Sequence, residues 1–461
     1  MKLLSTKYDV VVVGAGVSGL YVAYLLASMQ WKVALVESKE RSRIGDRVCG
    51  DAIGMHHFEE LGMELPLDVI DHKYRGVKIY TPSKNHSIIV PGEGVSVNRY
   101  KFGQWLLKKA LDSGAELLDR YVVVDVKVEN SYVKALKVRR VGGELLEVEA
   151  HVFIDASGYR PAIRSKLPPE WPIAERPYTT DYNIAYREVI ELENSIKEED
   201  VDYAIIFIDV NAAPGGYWWL FPKSKDGRLV NVGLGVVNNG LYNPRRNFEA
   251  YLRSTLKGKI LHSGGGVVPT RRPLPTLVWR NVAAVGDAAY TVNPVHGGGI
   301  GSSMLASHIV AKHINRALEQ GQVDENTLWD ANIEYMSSYG SKQAGLDILR
   351  MYMQKLSNED YEWLIANKVV NGDSVYMLGS KGEVSERILH GVSLLLKLLG
   401  RPSLLNQLRL VRSYMKKAQA LYSEAYPESP SKIRTWMNAV NALYEEYARI
   451  IGFDRGELVK W

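Results

Sequence analysis

Short apolar runs broken by glycine set the first pattern in this chain. Val10-Val11-Val12-Val13 leads directly into Gly14-Ala15-Gly16-Val17-Ser18-Gly19. A second run, Lys32-Val33-Ala34-Leu35-Val36, ends in Glu37. Continuous apolar runs of this length predict buried parallel strands, and residues 20–29 predict the helix between them. Residues 102–113 predict a second helix, and 121–128, 135–140 and 148–154 predict further strands. From about 166 to 270 the rhythm changes. Strand-like pieces at 203–210, 217–221 and 229–236 alternate with turns, the pattern of a mainly antiparallel sheet. After about 321 the pattern is helical, from Thr327 through Tyr447. The chain therefore divides into a nucleotide-binding unit at 1–165, an inserted substrate sheet at 166–270, a return segment at 271–320 and a helical region at 321–461. The fold class is α/β: a Rossmann-like dinucleotide domain with an inserted, mainly antiparallel sheet and a helical C-terminal region.

The first glycine motif has a mechanical reading. Gly14 permits the tight turn out of the strand, Gly16 lets the backbone approach a pyrophosphate, and Gly19 lets the helix pack closely on the strand. The helix N-terminus presents free N–H groups to the phosphates. Glu37 ends the second strand where it can accept from an adenosine ribose, which favours FAD or NAD over NADP. Two later stretches extend the pattern. Asp155-Ala156-Ser157-Gly158 follows a strand, and reads either as a close approach to a cofactor at Gly158 or as a cap made by Asp155 or Ser157. Gly286-Asp287-Ala288-Ala289 follows another, and Asp287 is placed to accept from a polyol hydroxyl. Pro294 and Gly297-Gly298-Gly299-Ile300-Gly301 then open a helix whose first N–H groups suit the flavin edge that gains negative charge on reduction.

Composition narrows the classes. At 461 residues the chain is long enough for two or three substructures. Its net charge of +5 suits solubility or an anionic surface and is too small to argue for nucleic acid. The single cysteine, Cys49, excludes an internal disulfide and a cysteine-based zinc cluster, so no metal site is expected. There is no run of about 20 apolar residues, and the first strand begins too early for a cleavable signal peptide. The expectation is a cytoplasmic protein, with peripheral contact at the inner membrane surface left open. The stretch 385–417, leucine-rich and carrying Arg401, Arg409, Arg412, Lys416 and Lys417, reads as an amphipathic membrane-contact surface or as a core helix pair.

The three glycine motifs resemble those of the aromatic-hydroxylase flavoprotein superfamily, and two further segments look like the geranylgeranyl reductase family within it. Cys49-Gly50-Asp51 is similar to the family's Cys-Gly loop beside the flavin. Pro214-Gly215-Gly216-Tyr217-Trp218-Trp219-Leu220-Phe221-Pro222 fits its Pro-x-x-Tyr-x-Trp-x-Phe-Pro pattern. The resemblance implies FAD as cofactor, held by Gly14, Gly16, Ser18, Gly19, Glu37, Cys49, Gly50, Ala52, Arg99, Val123, Asp287, Gly299 and Ile300. It implies reduction of C=C bonds in geranylgeranyl lipids or geranylgeranyl diphosphate, with hydride from reduced flavin and a proton from the protein. Cys49 is the leading proton donor, with Tyr217 or a bound water behind it and Trp219 on the same catalytic face. Tyr217, Trp219 and Phe221 share one face of a strand, able to line an apolar tunnel or simply to fill a sheet core. Arg271 and Arg272 are candidates for a substrate pyrophosphate. No second nucleotide motif is present, so the electron donor is NAD(P)H in transit or a ferredoxin-like protein. Two other readings share the scaffold: an oxygen-using monooxygenase or halogenase, and a prenyl-binding escort protein without FAD. The retained Glu37, Asp287 and Gly297–Gly299 argue against the escort.

Overall fold

The computed structural model describes residues 5–382 and 401–461. Two eight-stranded sheets organise it. In the first, the order from one edge is Val278–Trp279, Val282–Ala284, Leu145–Asp155, Ser5–Val13, Val33–Glu37 and Glu116–Asp119. All neighbours from Val282–Ala284 onward are parallel. A hairpin of Tyr121–Glu129 and Tyr132–Arg140 extends from Leu145–Asp155. Val10 to Val12 and Val33 to Leu35 are almost wholly buried, because helices cover the faces of a parallel sheet. One of these helices, Val17–Ser28, is apolar on nearly all sides and packs between helices Arg99–Asp112 and Ile300–Glu319.

The second sheet runs Gly258–Pro269, Tyr182–Leu192, Leu229–Val237, Tyr217–Pro222, Tyr203–Phe207, Ile70–Tyr80, Ser87–Val97 and Ala52–Gly54. It is antiparallel except where Tyr203–Phe207 meets Ile70–Tyr80. The span 166–270 therefore does not close this sheet by itself. Three strands come from within 52–97, inside the stretch read from sequence as part of the nucleotide-binding unit. Two of the strands within 166–270 also escaped the sequence reading. Tyr182–Leu192 carries Arg187 and Glu188 inward, where both are buried by partners. Gly258–Pro269 is an edge strand with an exposed first half and three consecutive glycines, which reads locally as a turn.

Beyond the return segment the described chain is helical, with Trp329–Tyr335, Ser341–Met353, Asn358–Ala366, Gly372–Lys381, Pro402–Ser423 and Ile433–Ile451. Helix Pro402–Ser423 buries Leu404, Leu405, Val411, Tyr414 and Met415, packing on Ser341–Met353. In its described part, the 385–417 segment thus has its apolar face occupied by protein; residues 385–400 lie outside the described residues. Among the described residues no helix is long and apolar enough to cross a membrane. The last residues return to the sheet junction, where Val459 N–H donates to Pro177 O at 2.9 Å.

A buried charge hub ties these parts together. Arg271 and Arg272 both pair with Glu175, at 2.7 and 2.9 Å, and Arg271 also faces Asp181. Arg272 reaches Asn441 on the last helix at 2.8 Å. Both guanidiniums are almost wholly buried. They are thus committed to internal carboxylates, which corrects their candidacy as pyrophosphate ligands. Burial alone would raise the Glu175 carboxyl, but Arg272 and Arg271 outweigh it and hold it down to about 2.

Candidate active site

The nucleotide cradle is made where strand Ser5–Val13 ends. Gly14 has φ +104°, and a side chain there would meet Ala156 O at 2.4 Å. A Cβ on Gly19 would lie 1.8 Å from Gly14 O, so helix and turn touch backbone to backbone. Gly16 faces open space bounded by Arg47, whose guanidinium lies 3.5 Å from where a Cβ would be. Ala15 N–H donates to Glu37 at 2.6 Å, and the other carboxylate oxygen accepts from Ser38 Oγ–H and Lys39 N–H. The oxygen that accepts from Ala15 keeps a second lone pair for a ribose hydroxyl. Val123 lies in the strand beginning just after Arg120, whose N–H donates to Lys39 O at 3.2 Å. That places the strand beside the end of Glu37.

The other two motifs diverge. Asp155 is fully buried and accepts from Ser157 on one oxygen and from Ile163 and Arg164 N–H on the other, at 2.8 and 2.9 Å. Of the two readings of this motif, the cap is the one that its hydrogen bonds carry. The Gly286 turn instead closes on the cradle: a Cβ on Gly286 would lie 2.4 Å from Ser18 Oγ. Asp287 Oδ1 sits 3.7 Å from the position of a Cβ on Gly299. Burial raises the Asp287 carboxyl, while Arg47 and Arg99 pull it back down. Helix Ile300–Glu319 starts at Gly299 without a side-chain cap, leaving its first N–H groups for another acceptor.

Against these groups FAD can be tested for fit. Arg47 and Arg99 converge electrostatically on Asp287, and the Nε atom of each is buried with no hydrogen-bond partner among the described residues. Two orphaned cationic donors beside a glycine cradle suit a dianionic pyrophosphate. Sequence reasoning chose Arg99 and passed over Arg47, which looks like a surface cation in its arginine-bearing loop.

The second sheet supplies the opposite wall. Tyr217, Trp219 and Phe221 do share one face, packing with Tyr74, Ala52 and Ile206. Trp218 turns the other way and stacks on Phe207, with ring centroids 3.6 Å apart. The Cys49-Gly50 loop lies on the first face, where a Cβ on Gly50 would sit 3.2 Å from the Phe221 ring. Burial and the neighbouring Cys49 push the Tyr217 phenol up to about 12. Its O–H donates to His296 O at 2.6 Å, so Cys49, Tyr217 and the Gly297–Gly299 segment meet at one place. Tyr217 is half-buried at this meeting point.

Sequence reasoning missed two histidines, His56 and His57, beside the start of helix Ile300–Glu319. The His57 ring presses on Gly301, where a Cβ would be 2.1 Å away, and its centroid is 4.0 Å from that of His56. His296 Nδ1 accepts from Gly298 N–H at 3.1 Å. Burial, then His56, His296 and Lys342, lower His57 to about 3; burial, then Lys342, lower His296 to about 4. The His56-His57 pair follows the Cys-Gly loop by a few residues, the one sequence signal that pointed to it.

A nucleotide cradle in a parallel sheet, facing an aromatic and thiol-bearing wall on an antiparallel one, defines an FAD-dependent oxidoreductase. Residues 9–159 match the FAD dependent oxidoreductase family, and residues 181–268 match the geranylgeranyl reductase catalytic domain. The digeranylgeranylglycerophospholipid reductase of Sulfolobus acidocaldarius is 41% identical over 449 residues, covering 96% of this chain and 98% of that protein. The protein of the same name from Methanothrix thermoacetophila is 28% identical, covering 78% of this chain and 90% of its own. Among solved structures, a geranylgeranyl bacteriochlorophyll reductase-like protein from Thermoplasma acidophilum aligns with a TM-score of 0.71 at 21% identity, over 95% of this chain and 100% of that one. A myxobacterial chondrochloren halogenase aligns at 0.61 and 18% identity, over 84% and 96%; both structural likenesses speak for the fold. The chain belongs to the geranylgeranyl reductase family, and its cofactor is FAD.

Proposed function

We propose that this protein is an FAD-dependent reductase that hydrogenates C=C bonds of geranylgeranyl chains in isoprenoid lipids, such as archaeal ether lipids or their precursors. The observation that carries this reading is the meeting of Cys49 with Tyr217 on the Tyr217–Trp219–Phe221 face, beside the Gly297–Gly299 segment. The relatives' shared name supports the lipid substrate. When bound, reduced FAD supplies hydride. The chain's own residues must then orient an unactivated alkene, keep water away and deliver one proton.

Trp219, Phe221 and Tyr74 are buried together and form an apolar wall that excludes water. Cys49 Sγ–H is the proposed donor to the alkene carbon that does not receive hydride. Tyr217 holds its proton at neutral pH and spends it on His296 O, which places it as a support for Cys49. Arg47 and Arg99 would hold the FAD pyrophosphate together with Gly14, Gly16 and Gly19. Glu37 takes the adenosine ribose with Val123 nearby, and Ser18, Asp287, Gly299 and Ile300 line the remaining length of the cofactor. Cys49 and Gly50, in the loop, and Ala52, at the start of its strand, would hold the flavin from the side of the second sheet.

A test is single-turnover reoxidation without oxygen. Chemically reduced holoprotein mixed anaerobically with a geranylgeranyl phospholipid should regain the yellow oxidised flavin. Protein that stays bleached until air is admitted would contradict the proposal and favour a monooxygenase.

A further inference from the structure

Strand Leu229–Val237 contains one polar residue that its pattern does not ask for. Val230, Val232, Leu234 and Val236 fill the core on one face. Asn231, on the other face, is also wholly buried. Its amide is almost fully used. Nδ2 donates to Cys49 O at 2.8 Å and to Asp51 Oδ2 at 3.0 Å, and Oδ1 accepts from Trp219 Nε1–H at 3.1 Å. One side chain thus joins the Cys-Gly loop to the aromatic strand.

Asp51 is held under strain by the same group. It has φ +65°, uncommon for a residue with a side chain, and is 3% exposed. Lys223 Nζ binds its carboxylate at 3.1 Å and also meets Asp71 at 2.9 Å, Ser96 Oγ and Val97 O. The strained backbone turns the Asp51 N–H toward Cys49 Sγ, at 3.3 Å. Arg187 Nε adds a second donor to Cys49 O at 3.2 Å. Strain that its surroundings over-determine is characteristic of functional sites. Here its effect is to aim an amide donor at the sulfur.

We infer that Asn231, backed by Lys223 and Asp51, is a positioning residue that fixes the Cys49 thiol toward Tyr217 and gives its sulfur a hydrogen-bond donor. The role rests on the proposed place of Cys49 in proton delivery. Its test reads the thiol itself. Cys49 is the sole cysteine of the chain, so iodoacetamide alkylation of the holoprotein reports on it alone.

In Asn231→Ala the loop loosens and the Asp51 N–H no longer meets the sulfur. The thiolate loses a donor, so the pH midpoint of alkylation should rise. The plateau rate at high pH should increase about tenfold, the scale of one lost hydrogen bond, with flavin content retained. Asn231→Ser, which keeps a shorter polar side chain, should restore part of both changes. If Asn231→Ala does not fold, Asn231→Ser and Lys223→Gln carry the test, each with a raised midpoint. A purely structural residue would lower the melting temperature and leave the midpoint in place. Folded, flavin-loaded variants with an unchanged midpoint and a plateau rate within twofold of the parent would overturn the inference. Failure of the reductase reading would look different: the parent would not turn over lipid, while the alkylation differences would persist.

Discussion

The two walls of the site are built by opposite means. The nucleotide cradle of the first sheet is made by leaving side chains out: Gly14, Gly19 and Gly286 sit where any Cβ would strike backbone or Ser18 within 2.4 Å. The wall of the second sheet is made by adding them, with Trp219, Phe221, Tyr74, Asn231 and Lys223 packed around one cysteine loop. A cofactor that is gripped through its phosphates needs backbone brought close. An alkene without polar handles needs shape and a placed proton. Damage to the first wall should therefore remove the cofactor, and damage to the second should leave a yellow, inactive protein.

The largest effect expected on the first wall is from Gly19→Val. Its Cβ would meet Gly14 O at 1.8 Å, and overpacking of this kind costs about 3 kcal/mol or more. Purified variant should be colourless or nearly so, with a lower melting temperature; full flavin content would break the distinction drawn above. On the second wall, Cys49→Ala should retain FAD and lose about 10²–10⁴ in turnover, the span of general acid catalysis. Cys49→Ser should fall between. Full turnover in the alanine variant would remove Cys49 from the donor role.

Smaller effects sharpen the comparison. Arg47→Ala and Arg99→Ala should each weaken FAD by about tenfold, the scale of one charge-assisted hydrogen bond, measured by titrating apoprotein with FAD. Equal affinity in Arg47→Ala would mean that its buried Nε serves something else. The hub that joins the two sheets to the helical region should respond to acid. Glu175 is held at about 2 in the folded state against an ordinary 4.5. A depressed carboxylate stabilises the fold above its unfolded value, and that contribution is lost as pH falls from 4.5 toward about 2. Melting temperature should drop across that window in the parent and less steeply in Glu175→Gln.

The first wall was legible in the sequence because its signals are local. Strand, glycine turn, helix and acid follow one another within forty residues, and the sheet built on them is parallel as expected. The aromatic strand was equally legible, since alternation alone puts Tyr217, Trp219 and Phe221 on one face. What escaped depends on distant pairing. Ala52–Gly54, Ile70–Tyr80 and Ser87–Val97 join the second sheet only through contacts with strands more than a hundred residues away. Asn231, Lys223 and Asp51 look like surface polar residues until that sheet closes over them. Arg271 and Arg272, in contrast, looked free in the sequence because Glu175 lies almost a hundred residues before them. Gly264 is a clear case of hidden purpose: a Cβ there would meet Val48 at 2.5 Å, so the glycine run seats the cysteine loop.

The most direct measurement is the mass of the product. Reduced holoprotein is incubated without oxygen with a digeranylgeranyl phospholipid, and the lipid is analysed by mass spectrometry. The account predicts stepwise gain of hydrogen pairs under anaerobic conditions, lost in Cys49→Ala. Lipid of unchanged mass without oxygen, and an added oxygen atom once air is admitted, would contradict it.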